Sequence, residues 1–130
     1  MKFLPFVLLL FPLSAFANGG MGEAITATAR ATGMSNQFGT RCGFDKALLA
    51  RHKAKFEAEA RQANATLPAG QQVDVDVEYQ TGFDEANRYY DSIKDAAMRG
   101  QICQAMMAQI RQALDYPSVL SLPTRSMRPR

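Results

Sequence analysis

The clearest periodicity lies between residues 45 and 67, where Leu48, His52, Phe56, Ala60, Ala63 and Leu67 recur three or four apart. That spacing puts them on one face of an α-helix. Asp45 precedes the run as an N-cap, and Phe44 before it can pack on Leu49 as a hydrophobic staple. Charges on the other faces fall in register, pairing Lys53 with Glu57, Lys55 with Glu59 and Glu57 with Arg61 at i,i+4. The pattern predicts a helix from Asp45 to about Thr66, ended by Pro68 and Gly70.

The next stretch supports two readings. Val73, Val75, Val77 and Tyr79 alternate with Asp74, Asp76 and Glu78 as in a strand, with Thr81-Gly82-Phe83-Asp84 then capping a following helix. Val75, Tyr79, Phe83, Ala86, Tyr90, Ile93 and Ala97 also trace a continuous helical stripe. A lone strand would need a second molecule to pair its backbone, so self-association follows from the first reading. The second is favoured and predicts one helix from about Asp74 to Met98. Gly100 is expected to break it, and a last helix carries Ile102, Met106, Ile110, Ala113 and Leu114 inward until Pro117. Upstream, Glu23 to Phe38 is rich in Ala and Thr and interrupted by Gly33 and Ser35-Asn36, which predicts a weak helix.

Before these elements Lys2 leads an apolar run from Phe3 to Leu13 that ends in Ala15-Phe16-Ala17, the pattern of a cleaved secretory signal over residues 1–17. The run is shorter than the roughly 20 residues a membrane span needs, and no transmembrane segment is expected in the mature chain. Residues 18–22 read as a flexible leader, 23–116 as the helical domain and 117–130 as a basic Pro/Arg tail. An Ala- and Arg-rich composition suits a bacterial exported chain, so the expected location is periplasmic or secreted. In an oxidising compartment Cys42 and Cys103, the only two cysteines, are expected to form one disulfide. The fold expected is all-α: a small disulfide-stapled three- to four-helix up-down bundle, with both cysteines at one end.

Composition narrows the chemistry. One His and two Cys in 130 residues exclude a multi-His zinc centre and a four-cysteine iron-sulfur cluster, and leave His52 as the only imidazole a Ser/His/Asp site could use. No catalytic residue, cofactor or metal site is assigned, and the chain is expected not to be an enzyme. Fifteen Lys and Arg stand against twelve Asp and Glu, but Lys2 belongs to the signal and three of the arginines to the tail. No basic face for nucleic acid is left.

Each remaining candidate has an ordinary explanation. His52 on the apolar stripe reads as a hydrogen-bonded structural histidine. Asp74-x-Asp76-x-Glu78 lacks the glycine and distal Glu of a calcium loop, and Asp84 and Glu85 diverge on a helix. Asn64-Ala65-Thr66 is a formal glycosylation sequon, which matters only in a eukaryote. Tyr79, Tyr89, Arg125, Arg128 and Arg130 are the candidates for a partner surface, with Tyr90 beside them. The function expected is therefore binding of a protein partner in the cell envelope, in an accessory, inhibitor or immunity-type role. The alternative is a copper or small-ligand carrier using His52 and the Met98, Met106 and Met107 thioethers.

Overall fold

Three aspartates start three of the four helices. Asp45, Asp74 and Asp95 accept hydrogen bonds from the free amides of Ala47, Val77 and Ala97, opening α2 (Lys46–Ala65), α3 (Val75–Ser92) and α4 (Ala96–Asp115). The first helix, α1, spans Leu4–Arg41. The computed structural model describes residues 4–121, with side chains from Gly20 onward, so Arg125, Arg128 and Arg130 and most of the signal segment's detail lie outside it. Among the described residues the chain is all-helical, with 3₁₀ turns at Ala69–Gln71 and Val119–Ser121 and a Cys42–Cys103 disulfide. No described helix is long and apolar enough to cross a membrane.

The helix expected to be weak is the central one. α1 touches α2, α3 and α4 and places Ile25, Ala29, Thr32 and Phe38 in the interior. It is interrupted at Gly20 (φ 74°, ψ −155°), a left-handed region that glycine alone enters freely. The second part starts at Met21, which already packs on the core. Its low helix propensity is outweighed by close packing, which small side chains allow. At Gly33 an added Cβ would lie 2.0 Å from the Tyr79 carbonyl oxygen, and at Gly82 one would lie 2.0 Å from that of Arg30. α1 and α3 therefore meet backbone to backbone, each through a glycine of its own. Arg30 with Glu78 and Arg41 with Asp91 bridge the same seam from outside.

On α2 the buried set is Leu49, His52, Phe56, Ala60 and Ala63; Leu49 takes the inward place expected of Leu48. The reason is Gly39 on α1, over which Leu49, Phe44 and Ile110 of α4 converge. Of the three i,i+4 ion pairs expected, Lys55 with Glu59 forms at 3.1 Å, while the Lys53 ammonium lies over the Tyr79 ring.

Residues 75–92 are helical, and the strand reading is not adopted. Val75 packs on the core and Tyr79 is buried, whereas Val77 is 54% exposed. The helix ends earlier than expected. Ile93 turns into extended backbone, stays buried and accepts a hydrogen bond from Arg99, and Asp95 starts the return. Gly100 is not the break but an open position inside α4. A straight helix to Met98 would overrun the turn at Gly43; reversing at Ile93 keeps that residue in the core and brings Cys103 to Cys42. Beyond α4, Leu120 of the second 3₁₀ turn is buried in the same core cluster as Ala24, Phe56 and Ala60.

This placement separates two lysine substitutions. Val75→Lys is expected to cost about 2 kcal/mol, because it puts an ammonium against the core, and Val77→Lys less than about 0.5 kcal/mol. Thermal melts of the two variants check it; equal losses would contradict the helical register.

Candidate functional site

His52 is 6% exposed and anchored on one side only. The Asn36 Nδ2 amide donates to His52 Nδ1 at 3.2 Å and to the Leu49 carbonyl at 3.2 Å, which fixes that amide between two acceptors. With Nδ1 accepting, the ring proton sits on Nε2. Nε2 makes no hydrogen bond among the described residues and is open to solvent; the buried side-chain polar atom without a partner among them is Gln37 Oε1. Burial lowers the His52 pKa below its ordinary 6.5, and the nearby Lys55 charge lowers it further, so the ring is neutral at pH 7.

The ring lines a cleft of about 450 Å³ whose floor is α2 and whose walls are α1 and α4. It exists because the walls are unmatched. α4 reaches α1 through Ile110 at Gly39, but farther along Ala27, Ala31 and Ser35 on α1 face Gln109, Gln112 and Ala113 on α4. None of these is a large apolar side chain that would fill the gap. The far end is closed by a polar clasp. Lys55 donates to Glu59 at 3.1 Å and to the Tyr116 carbonyl at 2.9 Å, and the Ser118 amide donates to Glu59. Burial raises the Glu59 pKa, but the Lys55 and Ser118 hydrogen bonds outweigh it and hold the carboxyl below its ordinary value. Both charges in the cleft are thus spent on each other.

A second feature sits where α1 ends. The Tyr89 ring is 55% exposed yet braced edge-on against buried Phe38, with centroids 6.0 Å apart. Next to it the Arg41 and Arg99 guanidiniums lie 4.6 and 5.1 Å from the Tyr90 ring centre. Arg41 also donates to Asn87 and Asp91, holding the exposed Asp91 carboxyl below its ordinary pKa, and Met98 is exposed one residue before Arg99.

Of the expected surface tyrosines, then, Tyr89 is outside and Tyr79 is inside. Tyr79 is 8% exposed and stacked on Phe56, and burial followed by the Glu57 charge pushes its hydroxyl pKa up to about 12. It is a core residue because α3 turns its 3.6-residue stripe toward α1 and α2. Among the described residues no group of three His, Cys, Asp or Glu could hold a metal ion. Met106 and Met107 are half-buried on α4, away from exposed Met98 in its first turn. Sequence reasoning missed Arg41 and Arg99, because they lie 49 and 9 positions from Tyr90 and only the fold brings them to its ring. No family model, no curated protein and no solved structure matches the chain.

The His52 anchor makes stability pH-dependent. Below pH 6.5 the unfolded chain binds a proton at His52 before the folded one does, because the folded pKa is lowered. Stability is therefore full above that pH and is lost as the pH falls toward the folded value. The charged groups that line the cleft with the ring are Lys55 and Glu59. Protonating Nδ1 would also set two donors against each other at Asn36. Melting temperature is expected to fall as the pH drops below 6.5 and to fall less in His52→Phe; equal slopes in both proteins would contradict the anchor.

Proposed function

We propose that this chain is an exported, non-catalytic helical protein that holds a protein partner in the periplasm or outside the cell, using the end of the bundle that carries Tyr89. The observation that carries the reading is the braced exposure of that ring. An aromatic surface already fixed against Phe38 loses little freedom on binding, and the Tyr90 ring next to it in sequence carries Arg41 and Arg99. Tyr, Arg and Met are the side chains enriched where partners bind most tightly. Binding is favoured over catalysis because the lone histidine gives its Nδ1 to Asn36 and hydrogen-bonds to no nucleophile or acid. The disulfide suits an oxidising compartment.

Export is checked by mass spectrometry of the released protein, which should begin at Asn18 and lack two hydrogens. Recovery of Met1, or of two free thiols, would contradict it. Partner binding is checked by gently extracting the tagged protein. It should elute above monomer size, and Tyr89→Ala or Arg99→Ala should return it to the monomer position with little change in melting temperature. A wild-type protein that elutes only as a monomer would count against the reading.

A further inference from the structure

We infer that the cleft between α1, α2 and α4 is a binding site for a small uncharged molecule with a carbonyl-type acceptor on an apolar body, fixed by a hydrogen bond from His52 Nε2. This goes beyond partner binding at Tyr89, which is on a different face and uses other residues. The first support is the donor. Nε2 carries the ring proton, belongs to a side chain 6% exposed, lines the cleft and has no partner among the described residues. Nε2 is open to solvent in the cleft, so the donor is free to be taken by the acceptor of a ligand that displaces water there.

The second support is size and lining. About 450 Å³ lies within the range of small-molecule sites, and Ala27, Ala31, Phe56, Ala113 and Pro117 give apolar contact around a few polar groups. The third is charge. Lys55 and Glu59 neutralise each other, with their remaining hydrogen bonds made to Tyr116 and Ser118, and His52 is neutral. A charged ligand would find no free opposite charge among the described residues that line the cleft, and burying it unpaired is costly. An uncharged acceptor meets no such penalty.

The test uses Prodan, an uncharged naphthyl ketone whose emission moves to shorter wavelength in apolar surroundings, titrated against the full mature chain. Saturable one-to-one binding is expected. Ala31→Leu, which fills the cleft from an exposed position on α1, should weaken it at least about tenfold, the factor of one lost hydrogen bond or more. His52→Phe should weaken it similarly. If that variant does not fold, Ala31→Leu decides. The anionic probe anilinonaphthalene sulfonate should show no dependence on Ala31→Leu. The assignment is overturned if Prodan does not saturate, if it binds Ala31→Leu or folded His52→Phe as tightly as the wild type, or if the anionic probe binds the cleft equally well.

Discussion

Gly82→Ala is expected to lower stability by about 3 kcal/mol, or roughly 10 to 20 °C in melting temperature, although it adds only one methyl group. The new Cβ would lie 2.0 Å from the Arg30 carbonyl oxygen and 2.7 Å from its carbon. Both are backbone atoms of a helix, so no side chain can swing aside; α1 and α3 must part by more than 1 Å along a seam that holds most of the core. Gly33→Ala should cost a similar amount, since its Cβ would meet the Tyr79 carbonyl at the same distance. The two glycines interlock one pair of helices. Once the helices have parted for one methyl, the second costs little, and the double variant should lose far less than the sum of the singles. Gly100→Ala is the control. Nothing lies within 4 Å of its added Cβ, so a gain of about 0.5 to 1 kcal/mol is expected. Melts of the four variants check this; an unchanged Gly82→Ala would contradict the close approach.

The disulfide should matter more than any single packing contact. Cys42 and Cys103 are 61 positions apart, and closing so long a loop in the unfolded chain is worth about 4 kcal/mol. For a domain of this size that is a large share of the total, which is on the order of 5 to 15 kcal/mol. α4 depends on it most, because Ile110 is its one fully buried side chain and the cleft separates it from α1 beyond that point. Replacing both cysteines by serine is expected to lower the melting temperature by roughly 15 to 30 °C. Amide exchange in α4 should accelerate before exchange in α1 and α3. A shift below about 5 °C would show that the bundle holds α4 without the bridge.

Much of this was legible in the residue pattern, for physical reasons that also explain the failures. The Asp45 cap, the α2 stripe and the inward Val75 and Tyr79 are local consequences of a 3.6-residue period, and sequence alone carries that. The choice between Leu48 and Leu49 is not local; it depends on Gly39 of another helix. Gly33 and Gly82 read as a helix breaker and as part of a cap, because a glycine used for close approach looks the same in sequence as one used for a turn. The end of α3 was misplaced because its stripe continues through Ala97, while the chain turns at Ile93 to stay within the length of its neighbours. His52 was recognisable as a buried, hydrogen-bonded histidine. Its cleft was not, since that space arises where small side chains on α1 face Gln109 and Gln112, residues whose polarity suggests a solvated face. Tyr79 belongs by its spacing to the inward stripe and by its residue type to the partner-surface candidates, and its burial follows the spacing.

The most direct measurement of the proposed function is photocrosslinking in the intact envelope, with benzoylphenylalanine placed at Tyr89 and, as a control, at Ala50 on the outer face of α2. The expected result is one discrete adduct at Tyr89 that is missing at Ala50 and lost when Arg99 is also changed to alanine. No adduct at Tyr89, or the same products at both positions, would contradict partner binding at this end of the bundle.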